Sequence, residues 1–310
     1  MSIKTNESTP PRQARRACVV AGGIRIAYED VGEIDAPPVV LLHGITESRL
    51  TWTGLADRLA DRFRVLAVDQ RGHGESDRLG SKNGSFLDLA GDIVSLCEQV
   101  LERPAILIGH SLGGVVSAIV AATRPDLVEG AFLEDPPMFV LDPEEWPRTV
   151  FATMFPILET TIRQAQAADD PEAVLSEVLS AMPAMNGRGT MVDALGDDSA
   201  RRLARSWARA DPDLLVRAMQ DVSAAWGDHH PDSAITRPVT VVRADPDLGP
   251  AFFAEHEERF LRLAPHAGFA VARGCSHMIH AEAPQWFAEQ VEAFLTDVYG
   301  SRRDRGGGRA

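Results

Sequence analysis

Short aliphatic and β-branched runs recur along this chain, and stretches with helical spacing of apolar residues separate them. Val39–Leu42 follows Pro37-Pro38, Phe63–Val68 follows a helical pattern over Thr51–Asp61, and Ala105–Ile108 follows an amphipathic stretch from Phe86 to Leu101. Gly130–Leu133, Val239–Val242 and Gly268–Ala272 complete the set, with further helices predicted over Ala251–Leu263 and Pro284–Tyr299. Such alternation predicts an α/β protein whose mostly parallel sheet is buried on both faces. Ahead of it, Cys18–Val20 and Ile24–Tyr28 read as a strand pair turning at Gly22-Gly23.

Between Met138 and Asp232 the rhythm changes. Helices are predicted at Thr149–Ala167, Pro171–Ala181, Ser199–Arg209 and Pro212–Trp226, with breaks at Pro183, Gly187, Gly189 and Asp211-Pro212. The expected organisation is a disordered basic tail (1–17), a core in two pieces (18–137 and 233–299), an inserted helical lid (138–232) and a second disordered tail (300–310).

Composition narrows the function classes. The chain has 310 residues, 45% apolar and 25% charged, enough for one or two domains with a substantial core. No apolar run approaches the roughly 18 residues of a membrane span, and MSIKTNESTPPRQARR lacks a signal-peptide core, so a cytoplasmic protein is expected. Three scattered cysteines, Cys18, Cys97 and Cys275, form neither a disulfide framework nor a zinc spacing. Adjacent His229-His230 have no third ligand spaced to join them, so neither metal nor other cofactor is expected.

The net charge is −14, and since each tail carries +3, the body between them carries −20. That field opposes nucleic acid and anionic membranes and leaves a small molecule as the expected partner, with a homodimer as the expected form of any self-association. The 138–232 block holds 16 acidic and 8 basic side chains, so an anionic substrate would enter it against the field.

The chemistry-bearing signal is Gly109-His110-Ser111-Leu112-Gly113. It follows the run Ala105–Ile108 and precedes the helical run Val115–Ala122. This is G-x-S-x-G in the strand, sharp turn and helix context that exposes the serine at a helix N-terminus. Glycines at 109 and 113 let strand and helix approach closely.

With VVLLHG at 39–44, VDQRGHGES at 68–76, GHSLGG at 109–114, RPDLVEGAFLEDPP at 124–137 and GCSHMIHAEAPQWF at 274–287, the chain resembles the α/β-hydrolase fold superfamily over nearly its whole length outside the tails. The resemblance implies an α/β-hydrolase fold, a mostly parallel central sheet with helices on both faces and an inserted all-helical lid. It also implies roles: Ser111 as nucleophile, the backbone N–H groups of Ile45 and Leu112 as oxyanion hole, and His277 as general base and then acid. His280 would be pocket lining or structural, and Asp69–Ser76 a structural turn.

The orienting acid stays open between two positions. Asp247 stands where most of the family places it, though followed by Leu-Gly, not the usual proline. Asp135, at the end of the run Gly130–Leu133, matches members that carry the acid one strand earlier. Glu134 and Asp245 are lesser candidates, and Glu134 occupies a normally apolar register where a carboxylate needs a partner.

The lid block holds six of the eight methionines and three of the five tryptophans. Trp146, Phe151, Met154, Phe155 and Leu158 form a stripe too wide for one packing seam, so Trp146, Met154 and Phe155, with Thr46, are expected to line a mainly apolar pocket. The family's epoxide hydrolases and haloalkane dehalogenases use an aspartate nucleophile, whereas position 111 is serine, and Tyr28 and Tyr299 are the only tyrosines. The expected activity is therefore hydrolysis of a carboxylic ester or lactone through an acyl-enzyme. A C–C bond hydrolase, thioesterase or perhydrolase with the same triad and a ligand receptor on this scaffold are the alternatives.

Overall fold

The computed structural model describes residues 14–79, 84–140, 144–220 and 234–306, the side chains of 217–220 and 301–306 excepted. Eight strands form one sheet: β1 (Arg15–Ala21), β2 (Ile24–Val31), β3 (Pro38–Leu42), β4 (Arg64–Val68), β5 (Ala105–His110), β6 (Val128–Glu134), β7 (Val239–Ala244) and β8 (Gly268–Ala272). Their order is β1-β2-β4-β3-β5-β6-β7-β8. The pairs β1/β2 and β2/β4 are antiparallel and the remainder parallel. The β1–β2 hairpin closes on Gly22 and Gly23, both at positive φ, as a two-residue turn between twisted strands requires.

Alternation along β3 shows why the sheet is buried on both sides. Val40 and Leu42 enter one core while Val39 and Leu41 enter the other, and all four are fully buried. Helices α2 (Phe86–Val100) and α3 (Leu112–Thr123) cover the first face, and α1 (Thr53–Leu59) and α11 (Pro284–Gly306) the second. At the base of β6 the pairing skips a residue: Ala105 faces Val128 and Ile106 faces Gly130, leaving Glu129 in a bulge.

Between β6 and β7 lie α4 (Val150–Gln166), α5 (Pro171–Ala181), α6 (Met191–Leu195), α7 (Asp197–Arg209) and α8 (Asp213–Gln220), with no strand among the described residues of the interval. Phe151, Phe155, Leu158 and Ile162 recur on one face of α4 and build a third core with Leu175, Leu179 and Trp207. The block is fastened to the loops after β3 and β4 by Asp211 N–H on Gly72 O (2.7 Å), Leu79 N–H on Asp211 Oδ2 (3.0 Å) and a Ser48–Ser206 hydroxyl contact (2.7 Å).

Some boundaries differ from the sequence expectation. β1 begins at Arg15, within the stretch read as tail, because Arg15 and Arg16 pair with Asp30 and Glu29 across the hairpin. α11 continues through Gly306, past the expected end at Tyr299. The helix expected over Ala251–Leu263 is α9 (His256–Leu263) alone, since the amides of Ala251 and Phe252 are engaged by Asp135. α6 was not foreseen; a Thr190–Asp193 capping box starts it. Trp226, His229 and His230 lie outside the described residues. No described helix is long and apolar enough to cross a membrane.

Candidate active site

A single residue, Ser111, joins β5 to α3, with φ 50° and ψ −116°, a conformation costly for any side chain. A Cβ on Gly109 would collide with the Gly113 carbonyl, and one on Gly113 with that of Leu42. The turn can therefore be this tight only with glycine at both places. Ser111 N–H donates to Glu134 O (2.9 Å) and Gly113 N–H to His43 O (3.1 Å), so β6 and the loop after β3 both brace the elbow. The N–H of Leu112 is at the first position of α3, where no intrahelical acceptor exists and the helix dipole is positive.

The loop after β3 is equally constrained. The peptide that carries the Ile45 N–H is held through its own carbonyl, Gly44 O, which accepts from His43 Nδ1 (2.7 Å) and Glu47 N (3.0 Å). Gly44 N–H donates to Glu47 Oε2 (2.7 Å), and His73 Nε2 donates to Ile45 O (2.6 Å). His43 Nε2 accepts from Gln70 N (3.1 Å), which makes this ring neutral, and burial, aided by His73, lowers its pKa to about 3.

Of the two candidate acids, Asp135 meets the histidine. It is fully buried, sits at φ 42° where β6 ends, and places Oδ2 2.7 Å from His277 Nδ1. Backbone amides fill the rest of its carboxylate: Ala251 on Oδ2 (2.8 Å), Ala244 and Phe252 on Oδ1 (3.2 Å each). Asp247 does not meet His277; it lies exposed in a 3₁₀ turn, Pro246–Leu248, beyond the end of β7. Asp245 holds the histidine loop by accepting from Gly274 N–H (2.8 Å), a bond that also lowers its pKa.

His277 lies on the loop between β8 and α10 (Ile279–Glu282), its ring edge-on to Phe151 of α4 (centroids 4.9 Å apart). Ser276 is tied to Glu282 through its hydroxyl and its N–H (3.0 Å for the latter), and His277 O lies 3.0 Å from His110 Nε2.

Ser111, Leu112, Ile45, Thr46 and His277 all border one cavity of about 720 Å³. Its opposite wall comes from the helical block and includes Trp146, Phe151, Met154, Phe155 and Leu158 of the apolar stripe, together with Trp207. Met182, Met185 and Met191 join them, whereas Met138 is buried in the sheet's core. Glu47, His110 and His277 are the titratable groups among the described lining residues, which include no lysine or arginine.

His280, expected as pocket lining or structural, stands apart from the cavity. It does not border this cavity; it is buried between Glu134 and Glu47 beside an adjoining space of about 410 Å³. That contact supplies the partner the Glu134 register demanded. Glu47 and His110, which complete the cluster, carried no motif signal of their own.

Residues 37–284 match the family described as alpha/beta hydrolase fold. The chain is 27% identical over 277 residues to the sn-1-specific diacylglycerol lipase ABHD11 of Mus musculus, covering 85% of this chain and 82% of that protein. It is 29% identical over 276 residues to the 2-(acetamidomethylene)succinate hydrolase of Mesorhizobium japonicum, covering 84% and 88%. The solved esterase RhEst1 from Rhodococcus sp. ECU1013 superposes with a TM-score of 0.67 at 23% identity, over 92% of this chain and 99% of that one.

Proposed function

The chain belongs to the α/β hydrolase fold family, and from that premise we propose that it is a serine hydrolase cleaving a carboxylic ester or lactone of an uncharged, mainly apolar small molecule. One observation carries the reading: a serine on a strained elbow and a histidine bonded to a buried aspartate open on the same apolar cavity. Ser111 Oγ attacks the carbonyl carbon while His277 Nε2 takes its proton. Asp135 holds Nδ1–H, fixing the tautomer and stabilising the imidazolium. The Ile45 and Leu112 amides receive the charge that develops on the carbonyl oxygen. His277 returns the proton to the departing alkoxide, then activates water to release the acid and restore Ser111.

The lining favours an apolar acyl or alcohol part. With no described cation in the wall, a substrate bearing free carboxylates, as the name of the Mesorhizobium relative indicates, would lose hydration without compensation. Serine at 111 speaks against the aspartyl-ester route of epoxide hydrolases. The test is a fluorophosphonate probe with p-nitrophenyl octanoate as substrate. Stoichiometric labelling at Ser111 and turnover abolished in Ser111→Ala support the reading, and a folded protein that neither labels nor turns over overturns it.

A further inference from the structure

Beneath the proposed triad lies a second set of four ionisable side chains, each a near neighbour in sequence of a group the mechanism uses. His110 precedes Ser111, Glu134 precedes Asp135, His280 is three residues after His277, and Glu47 is two after Ile45. All four are buried.

Their contacts fix their protonation. Glu47 acts only as an acceptor: Oε2 takes Gly44 N–H (2.7 Å) and Oε1 takes the Thr51 hydroxyl (3.0 Å). His110 Nδ1 lies 2.6 Å from Glu47 Oε2 and Nε2 lies 3.0 Å from the His277 carbonyl, so both ring nitrogens face acceptors, one of them a carboxylate, an arrangement that the doubly protonated ring satisfies in full. His280 Nδ1 faces Glu134 (2.9 Å), while Nε2 faces Glu47 Oε1 (3.2 Å) and the Thr51 oxygen (2.6 Å), whose proton is already directed to Glu47. It too must be doubly protonated. Burial opposes charge on both rings, but the two carboxylates outweigh it; His110 is raised and His280 reaches about 10. Burial would raise Glu47 as well, yet His110 and His280 hold it well below the carboxylate range.

We propose that Glu47, His110, Glu134 and His280 form a charge-neutral positioning frame, two carboxylates and two imidazolium ions, that holds the oxyanion loop, the elbow, the acid strand and the histidine loop in register for catalysis. The frame grips backbone at three points in the oxyanion loop and along the histidine loop and the start of α10: Gly44 N–H by Glu47, His277 O by His110, and His280 N–H by Glu134 (2.7 Å). A Cβ on Gly44 would lie 2.8 Å from both Glu47 Oε2 and His110 Nδ1, which shows how closely the loop rests on it. The titratable neighbours facing the frame are His43 beyond β3, and Cys275 and His277 on the histidine loop. Glu47, His110 and His280 also bring ligand atoms within 4.8 Å of one another, a spacing a cation could bridge, but doubly protonated rings, as proposed, offer it no lone pair.

The kinetic side of the proposal rests on the hydrolase reading; the protonation side does not. With histidine-specific ¹⁵N labelling, His280 is expected to remain an imidazolium at pH 8.5 in wild type and to lose that charge in Glu134→Gln, and His110 to titrate above the usual histidine range. On p-nitrophenyl octanoate, Glu134→Gln and His110→Gln are expected to lower kcat about 10²-fold at nearly constant KM, the scale of a small misplacement at a reacting centre, with Glu134→Asp recovering part of it. A merely structural frame would lower the melting temperature and leave kcat per folded molecule unchanged. A persistent His280 imidazolium signal in a protein that neither labels nor hydrolyses would overturn the hydrolase reading while supporting the frame's protonation. A neutral His280 ring at pH 8.5, a His110 ring that titrates at or below 6.5, wild-type kcat in both Gln variants, or activity lost to EDTA and restored by zinc would overturn the frame.

Discussion

Asp135 and His277 are joined at 2.7 Å although 142 residues separate them, and the aspartate keeps no free acceptor for anything else. Three backbone amides saturate its carboxylate, so it is rigid as well as charged. Asp135→Asn preserves shape and tolerates the positive φ, but leaves the imidazole in the wrong tautomer. It is expected to lower kcat by about 10⁴-fold with little change in KM, while Asp247→Asn stays within about twofold. Steady-state kinetics of the two variants on one ester make the comparison.

Three glycines should respond to alanine in opposite ways. Gly109→Ala and Gly113→Ala place a methyl group against backbone, which cannot give, and each is expected to cost more than about 2 kcal/mol. Gly91, exposed within α2, has nothing within 4 Å of its absent Cβ. Gly91→Ala is expected to stabilise by about 0.5–1 kcal/mol. Urea denaturation curves report both signs.

From the apolar cavity wall a substrate preference is expected. An unpaired carboxylate entering an apolar cavity loses several kcal/mol of hydration, so p-nitrophenyl octanoate should exceed the hemisuccinate ester in kcat/KM by about 10²-fold. Met154 lines the cavity and is only partly buried, so Met154→Arg can present a cation there without being trapped in the core. That variant is expected to narrow the ratio about tenfold, chiefly through KM for the hemisuccinate.

Two histidines give stability opposite pH dependences. His280, raised from 6.5 to about 10, stabilises fully below pH 6.5 and loses that contribution as pH rises toward 10. His43, lowered from 6.5 to about 3, is neutral in the fold, so the unfolded chain binds the extra proton and stability falls as pH drops from 6.5 toward 3. Melting temperatures measured across pH 4–10 should fall on both sides of a maximum near 6.5. His280→Gln should flatten the alkaline side, and His43→Asn the acid side.

The alternation of strands and helices was legible because burial on both faces of a parallel sheet leaves unbroken apolar runs, such as Val39–Leu42. The elbow was legible because its glycines are sterically compulsory. The acid was not, for a reason of topology: β6 and β7 are parallel neighbours, so Asp135 and Asp247 both follow strands that end at the same edge of the sheet. Which of them reaches His277 depends on the left-handed turn at Asp135 and on where the Ala251 and Phe252 amides fall, and neither leaves a local signature. Glu134 did announce a missing partner by its register. Whether its partner His280 lines the pocket or is structural stays open in the sequence, because proximity to His277 along the chain says nothing about which cavity a ring borders.

The bulge at Glu129 acts as a spacer that sets the phase of everything beyond it on β6. With it, His110 lies opposite Glu134, and Asp135 follows as the strand ends. Were Glu129 drawn into the ladder opposite Ile106, every later residue would slide by one. Glu134 would then arrive at the place of Asp135, and an apolar leucine would replace the carboxylate beneath His280. One surplus residue at the far end of the strand thus delivers a separate anion to each of two histidines.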